Sequence, residues 1–187
     1  MPPTQMSHPS PSNWVQSHIG LIRTGGKVLD LACGSGRHTR LLHTLGHKVV
    51  AADRNLSGVA DLKNTEQIDL RLVDLETPDW PFQKEKFAGI IVTNYLHRPH
   101  LPALITNLDK DGVLIYATFA AGNEAFGRPR NPEFLLYPDE LLDTFSKQLF
   151  VVAYEQLTED EPNPAVRQRI CATGLSHPAA SNQPAIS

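Results

Sequence analysis

Two glycines mark the part of the chain where the sequence could do chemistry. Gly34 and Gly36 follow the apolar run 27–32 and precede an amphipathic stretch, which predicts a tight turn between a strand and a helix. Glycine lets a ligand approach the main chain, and the free N–H groups of a helix N-terminus favour an anionic or carboxylate group. A Gly-x-Gly pair alone is weak evidence, because a tight turn without a ligand can have the same sequence.

Three aspartates strengthen the case for a ligand. Asp30 lies in the first apolar run, while Asp53 and Asp74 close the next two. Parallel strands bring their carboxyl ends to one edge of a sheet, where open α/β folds bind ligands and an acid can accept hydrogen bonds from a ribose. Thr39 replaces the third glycine of the dinucleotide fingerprint, and no phosphate-binding Gly-Lys-Ser/Thr follows. Since Asp30 would repel phosphate but suit an amino group, the pattern indicates a nucleoside that carries an amino acid.

Short apolar runs alternate with amphipathic stretches, which predicts a parallel sheet covered by helices on both faces. The last two runs follow each other without a helix and predict an antiparallel hairpin. The predicted strands are 27–32, 48–53, 69–75, 87–94, 112–120, 150–157 and 166–173. The predicted helices are 13–22 with Ser12 as its cap, 37–45, 55–63, 99–107 and 138–147. The fold class is therefore α/β, with a doubly wound, mostly parallel seven-stranded sheet and a C-terminal antiparallel β-hairpin.

Composition limits the class of protein. The 187 residues, 41% of them hydrophobic, suit one domain over residues 13–174, and the tails 1–12 and 175–187 are expected to be disordered. A net charge of -3 argues against a nucleic-acid partner. The absence of a long apolar run and of a signal sequence predicts a cytoplasmic protein without a membrane partner. Two cysteines are too few for a disulfide framework, and the oligomeric state stays open.

Four stretches in order, VLDLACGSGRHT, AADRN, RLVDLE and FAGIIVTNYLHRP, resemble the motifs of the class I S-adenosylmethionine-dependent methyltransferases. The resemblance covers about residues 13–174. Within the class it is closest to small bacterial methyltransferases of the tellurite-resistance type, to which the segment ATFAAGNEAFGRPRNPEFLLYPDELLDTF is similar. It implies a Rossmann-like fold with S-adenosylmethionine as methyl donor, S-adenosylhomocysteine as product, no metal, and a small-molecule acceptor.

The resemblance also implies a set of cofactor-binding residues. These are Asp30, Ala32, Cys33, Gly34, Gly36, Arg37, Asp53, Arg54, Asn55, Asp74, Leu75, Thr93, Asn94 and Tyr95. The glycine turn would line the methionine part with Asp30 near its amino group, and Asp53 would hold the ribose. Asp74 and the Leu75 N–H would bind the adenine, with Arg54 and Asn55 beside it. The last three residues of the set would border the methyl-transfer site.

Methyl transfer from a sulfonium needs alignment of three atoms in a dry site, and it needs a base only for a protonated acceptor. We therefore expect no obligatory catalytic triad. The candidate catalytic residues are Tyr95, His97, Arg98 and Arg130. Other candidates on the acceptor side are His100, Phe119, Asn123, Glu124 and Arg128. The arginines of the 128–130 loop could bind an anionic substrate or be solvated.

Three further patterns favour structural roles. The alternation of Arg167 and Arg169 on the last strand predicts a solvent-facing side of the hairpin, while Cys171 is expected in the core. The His43 and His47 pair has metal-ligand spacing, but Gly46 is expected to end the helix between them.

Two other functions stay open. The protein could be a non-catalytic S-adenosyl-ligand-binding protein of the same fold. An NAD-dependent oxidoreductase would share the first turn and Asp53, but Thr39, Asp74 and the terminal hairpin disfavour it.

Overall fold

Seven strands form one sheet in the order β3-β2-β1-β4-β5-β7-β6. The structure is a computed structural model that describes residues 9–160 and 164–181. The strands are β1 Lys27–Leu31, β2 Lys48–Asp53, β3 Ile68–Leu72, β4 Phe87–Thr93, β5 Leu108–Phe119, β6 Phe150–Glu159 and β7 Ala165–Thr173. The first five are parallel, and β7 is antiparallel to both β5 and β6. The predicted fold is confirmed.

Helices cover both faces of the sheet. They are α1 Asn13–His18, α2 Arg37–Thr44, α3 Leu101–Asn107, α4 Glu140–Phe145 and α5 Pro178–Ser181. Short 3-10 segments occur at Ile19–Leu21, Ser57–Leu62, Arg98–His100, Asn123–Ala125 and Pro132–Phe134. None of the described helices is long and apolar enough to cross a membrane.

The predicted elements differ from the structure at several boundaries, and three of these differences bear on the site. The stretch 55–63 forms a 3-10 helix over Ser57–Leu62, with Gly58 close against the glycine turn. The third strand ends at Leu72, so Asp74 lies in the loop after it. Ser12 makes no side-chain cap on α1; its backbone N–H donates to His38 Nε2 at 3.1 Å.

The core forms two layers because successive strand side chains point to opposite faces. On β1, Leu29 and Leu31 join the layer that contains Phe82 and Phe87, whereas Val28 joins the layer on the other face. All of these side chains are buried. The central strands are therefore apolar on both faces, as a doubly covered sheet requires.

The segment after the last strand packs against the body of the fold. The Ser176 N–H donates to the Lys110 carbonyl at 3.0 Å, and His177 Nε2 lies 3.0 Å from the Leu21 carbonyl oxygen. These contacts satisfy backbone groups that a solvated tail would leave to water. The disorder expected for residues 175–187 stays a prediction. Residues 1–8, 161–163 and 182–187, which include parts of both predicted tails, lie outside the described residues.

Candidate functional site

The turn between β1 and α2 has the backbone conformation that glycine favours. The φ angles are +54° at Gly34 and +73° at Gly36, both in the left-handed region. A Cβ at Gly36 would lie 2.4 Å from Val59 Cγ1, so no side chain fits there. A Cβ at Gly34 would meet nothing within 4 Å, which leaves this side of the turn open to a ligand.

Gly58 supports the turn from its outer side, a role that the sequence analysis did not assign. A Cβ on Gly58 would lie 2.8 Å from the Gly34 oxygen and 2.9 Å from Ser35 Cα. The backbone of the 3-10 segment therefore contacts the backbone of the turn directly. A glycine some twenty residues after the turn was the signal for this close approach.

Asp30 performs a structural task at this turn. Its side chain is only 2% exposed and accepts a hydrogen bond from Thr39 Oγ1 at 2.6 Å. The pKa of Asp30 is raised to about 6, chiefly by burial, while hydrogen bonds from the Thr39 hydroxyl and backbone lower it. Because Gly36 has no side chain to cap α2, the strand carboxylate caps the helix instead. Thr39 thus stands at the third glycine position as the partner of Asp30.

The two other aspartates lie at the same edge of the sheet: Asp53 ends β2, and Asp74 follows β3 by two residues. Asp53 accepts hydrogen bonds from the Gly34 and Asn55 N–H groups, each at 2.9 Å. Asp74 accepts one from the Glu76 N–H at 2.9 Å. Together they line one cavity of about 160 Å³, called here the acidic cavity, whose lining is Ala32, Asp53, Arg54, Asp74, Leu75, Glu76 and Tyr95.

Tyr95 closes the acidic cavity on the side of β4. Its hydroxyl donates to the Leu75 carbonyl at 2.8 Å, and its own carbonyl accepts from the Tyr116 hydroxyl at 2.8 Å. Burial, together with the nearby carboxylates of Glu76 and Asp74, raises the pKa of Tyr95. The phenol is therefore protonated at neutral pH and held in one orientation.

A larger cleft of about 400 Å³ lies over β5 and β7, beneath the segment that leads into α1. We call it the arginine cleft. Its lining is Pro11, Ser12, Asn13, Trp14, Arg37, Asn94, Ala117, Glu159, Arg167 and Arg169. The prediction that Arg167 and Arg169 face solvent is wrong: their side chains are only 19% and 18% exposed. The reason is that residues 11–14 cover this face of β7, and that Glu159, Asn94 and Phe119 contact the Arg167 guanidinium.

Arg167 is held by three neighbours. Its Nε donates to Glu159 at 2.7 Å, its Nη1 donates to Asn94 Oδ1 at 2.7 Å, and its guanidinium stacks 4.1 Å from the Phe119 ring centroid. Arg169 forms a second ion pair with Glu159 and a longer one with Glu155 at 3.4 Å. The two guanidiniums are thus pre-oriented at the carboxyl edge of the sheet.

His38 joins the roof of the arginine cleft to the glycine turn. Its Nε2 accepts the Ser12 N–H, so the ring is neutral, and its Nδ1 lies 3.5 Å from Thr93 Oγ1. Burial and the neighbouring Arg37 charge lower the pKa of His38 to about 4. Cys33 is also buried, and burial raises the pKa of its thiol. Neither side chain offers a reactive group at neutral pH.

A third cavity of about 220 Å³ connects the other two through shared residues. It is lined by Glu76, Asn94, Tyr95, Leu96, Thr118, Phe119, Pro129 and Phe134. Tyr95 also lines the acidic cavity, and Asn94 also lines the arginine cleft. Asn94 has a φ of +54°, which turns the chain sharply at the end of β4. The three cavities therefore form a continuous row along the carboxyl edge.

Several candidate residues lie elsewhere. Arg98 pairs with Glu140 and donates to the carbonyls of Glu133 and Leu135, so it holds the loop before α4. His97 packs on the His100 ring, 4.6 Å between centroids.

The remaining candidates do not combine into a site. Arg128 and Arg130 are exposed in the loop after β5. Within the described ranges, no group of three or more His, Cys, Asp or Glu side chains could hold a metal ion. Cys171 is fully buried, which confirms its predicted place in the core.

The chain is similar in sequence to known methyltransferases. Residues 28–110 match a family model described as a methyltransferase domain. Over 89 residues the chain is 30% identical to a probable S-adenosyl-L-methionine-dependent methyltransferase, TehB, of Haemophilus influenzae (strain 10810). That match covers 45% of this chain and 31% of TehB, so the chain spans about a third of the length of the curated relatives it matches.

Solved structures share the fold. The crystal structure of TehB from Haemophilus influenzae is similar with a TM-score of 0.67 at 22% identity, over 86% of this chain and 61% of that one. Residues 28–110 thus resemble a methyltransferase domain in sequence, and the described residues share its fold. The 1,6-didemethyltoxoflavin-N1-methyltransferase of Burkholderia thailandensis, solved with 1,6-didemethyltoxoflavin and S-adenosylhomocysteine, is similar with a TM-score of 0.63 at 17% identity, over 86% of this chain and 74% of that one. The resemblance to class I S-adenosylmethionine-dependent methyltransferases, and to TehB among them, is confirmed.

Proposed function

We propose that this protein binds S-adenosylmethionine and transfers its methyl group to a small-molecule acceptor, through the domain at residues 13–174. The observation that carries the proposal is the pair Asp53, at the end of β2, and Asp74, just after β3, which line one cavity beside the open face of Gly34. An acid at the end of β2 is suited to a ribose diol, and one at the next strand is suited to the adenine amino group.

The charge of the acidic cavity supports this cofactor over a dinucleotide. Asp53, Asp74 and Glu76 present three carboxylates, with Arg54 paired to Glu76 at 3.7 Å over the rim. A pyrophosphate would meet like charge there, whereas an adenosyl sulfonium carries no phosphate and is itself positive. The donor set therefore fits an S-adenosyl ligand. In this placement the backbone of Ala32, Cys33, Gly34, Gly36 and Arg37 follows the methionine part, while the Arg37 side chain lines the arginine cleft. Thr93, Asn94 and Tyr95 border the transferred methyl.

When bound, S-adenosylmethionine supplies a methyl group whose bond to sulfur breaks as the acceptor lone pair forms a new bond to carbon, leaving a neutral thioether. The protein's own residues orient the reactants and exclude water, which is the main requirement of an in-line displacement. Tyr95 contributes a rigid wall, because its hydroxyl is bonded to the Leu75 carbonyl. His38 and Tyr95 are both poor bases at neutral pH, since one has a lowered and the other a raised pKa. The proposal therefore assigns positioning to this chain and requires an acceptor with an available lone pair.

Calorimetric titration with S-adenosylhomocysteine tests the binding step, with NAD as the control ligand. We expect micromolar affinity for the first and none for the second. Binding of NAD alone would contradict the proposal and favour the oxidoreductase.

Transfer is then measured with S-adenosylmethionine labelled on the methyl group and a panel of small thiols, amines and phenols. Label in any acceptor supports an enzyme. S-adenosylhomocysteine binding with no transfer to any member would favour the non-catalytic protein of the same fold.

A further inference from the structure

The arginine cleft holds more positive charge than its own residues neutralise. Three guanidiniums, those of Arg37, Arg167 and Arg169, line it together with a single carboxylate, Glu159. Burying a guanidinium is costly unless an anion faces it, because the charge loses its hydration. Glu155 contacts Arg169 at 3.4 Å, which brings a second carboxylate close to this group. One positive charge is left without a carboxylate.

That remaining charge is on Arg37. Within the described part of the chain no carboxylate lies within ion-pair distance of its guanidinium, which makes a single long hydrogen bond there, from Nη1 to the Ser10 carbonyl at 3.4 Å. Burial and the charge of Arg167 lower the pKa of Arg37, although Asp30 acts in the opposite direction. The guanidiniums of Arg37 and Arg167 therefore repel each other across the cleft, and an anion bound between them would relieve this repulsion.

The position of the cleft separates it from the adenosyl site. The acidic cavity lies over the carboxyl ends of β1, β2 and β3, whereas Ala117, Arg167 and Arg169 belong to β5 and β7, beyond β4. Asn94 lies at the boundary, where it accepts from Arg167. A ligand that runs from the acidic cavity over Gly34 would thus bring the methyl on its central sulfonium towards Asn94, with its amino-acid end against the turn at the start of α2.

We propose that the arginine cleft binds the methyl acceptor, and that the acceptor is a small organic molecule with one carboxylate, held by Arg37 and Arg167. This inference rests on the proposed function, whose acceptor class it names. A volume of about 400 Å³ suits an organic molecule better than a lone inorganic ion. One unpaired positive charge matches a monoanion better than a phosphate dianion, and the planar guanidinium matches a carboxylate in geometry.

The test compares two probes of the same size that differ in charge. Benzoate and benzamide are titrated into the protein saturated with S-adenosylhomocysteine, and binding is followed by ligand-observed NMR. We expect benzoate to bind about tenfold more tightly, as a charge-assisted hydrogen bond allows. Equal affinities for the two probes would overturn the proposal.

Two substitutions assign the preference to the cleft. Arg37→Gln and Arg167→Gln should each reduce the benzoate preference to about unity. Arg37→Gln is the safer variant for folding, because its guanidinium has only the long contact to the Ser10 carbonyl. Arg23→Gln is the matched control: Arg23 is paired with Asp109 and Asp111 near the start of β5, and this change should leave the preference intact.

Other outcomes identify a different occupant. If Arg37→Gln and Arg167→Gln weaken S-adenosylhomocysteine and leave benzoate unchanged, the cleft binds the carboxylate of the cofactor and the proposal is wrong. If sulfate displaces benzoate with the same dependence on both arginines and binds more tightly, the ligand is an inorganic oxyanion and the organic acceptor is excluded.

The same titration without S-adenosylhomocysteine separates the two proposals. Benzoate preference in a protein that binds no S-adenosylhomocysteine would leave the anion site in place and remove the methyltransferase function. Binding of S-adenosylhomocysteine without a preference for benzoate over benzamide would keep the proposed cofactor site and overturn the anion site.

Discussion

Acids end the strands on one side of the sheet, whereas arginines begin the last strand on the other side. Asp53 and Asp74 follow the parallel strands β2 and β3, and Arg167 and Arg169 lie early in the antiparallel strand β7. Because β7 runs against β5, Arg167 pairs with Phe119 and Arg169 with Ala117 at the end of β5. One edge of the sheet thus carries both charges, separated by β1, β4 and β5.

The difference shows how two chemistries share one edge. The acidic side is suited to a cationic ligand without phosphate, and the basic side is suited to an anion. Under the proposed function, opposite charges would bring a positive methyl donor and a negative acceptor together from opposite ends of the row of cavities. The reversal of the last strand is the feature that places arginines there, since a parallel strand would put its first residues at the other edge.

The largest expected effect is a loss of stability from a substitution in the glycine turn, on the acidic side of the sheet. Gly36→Ala should lower the free energy of unfolding by about 3 kcal/mol, since it combines a left-handed φ with a clash against Val59. Gly46→Ala is the control, because its φ is +81° but its Cβ meets nothing within 4 Å; about 1 kcal/mol is expected. Urea unfolding measures both. Equal losses would show that the contact with Val59 does not constrain the turn.

The second effect is a pH dependence with opposite signs at two buried groups. The folded pKa of Asp30 is about 6, above its ordinary 3.8, so its ionisation destabilises the fold as the pH rises from about 4 to 6. The folded pKa of His38 is about 4, below its ordinary 6.5, so stability from this group increases as the pH rises from 4 to 6.5. Each group changes the free energy of unfolding by about 3 kcal/mol over its range of pH.

Substitution separates these contributions. Relative to the wild-type protein, Asp30→Asn should become more stable as the pH rises through this range, and His38→Gln should become less stable. Thermal or urea unfolding at pH 4.5 and 6.5, roughly the ends of the range, measures the change. The same trend in both variants would contradict the assignments.

The third prediction tests whether the two sides bind independently. Asp53→Ala should weaken S-adenosylhomocysteine binding more than tenfold, or about 1.4 kcal/mol, and leave benzoate binding unchanged. Asp79→Ala, at an exposed carboxylate in the loop after β3, should change neither. Calorimetry follows the first ligand and NMR the second. Unchanged S-adenosylhomocysteine affinity would contradict the ribose site at Asp53.

The smallest effect is a gain in stability at Ala32. Its φ of +56° is in the left-handed region, where an alanine costs about 1–2 kcal/mol. Ala32→Gly should therefore raise the free energy of unfolding by about 0.5–1 kcal/mol after the extra entropy of glycine is subtracted. Ala52→Gly in the neighbouring strand β2, which lacks this strain, should instead be destabilising. A loss of stability in both variants would show that the backbone at Ala32 is unstrained.

The acidic side of the sheet was the more predictable one. A glycine turn and an acid after an apolar strand are local patterns, and parallel strands bring their ends together without further information. Asp53 and Asp74 therefore line one cavity as expected. Asp30 was harder to interpret, because its partner Thr39 lies one helical turn inside α2 and uses the carboxylate as a cap.

The basic side could not be predicted from local patterns. The alternation of arginines with other residues on the last strand was interpreted as a solvent face. Such a pattern does not show what covers that face or which strands lie beside it. The order of the sheet, with β7 between β5 and β6, and the cover by residues 11–14 place Arg167 and Arg169 in a cleft. The role of Arg98 was similarly hidden, since its partner Glu140 is 42 residues away in sequence.

The close approach of Gly58 to the glycine turn couples a surface segment of the protein to movements of the turn. The backbone of Gly58 contacts Gly34 and Ser35, while Ala60, two residues later, is exposed. Any ligand that moves the turn by a few tenths of an ångström must also move this segment, because backbone atoms in contact cannot yield as a flexible side chain does. The amide resonance of Gly58 would therefore register occupancy of the site without a label placed inside it.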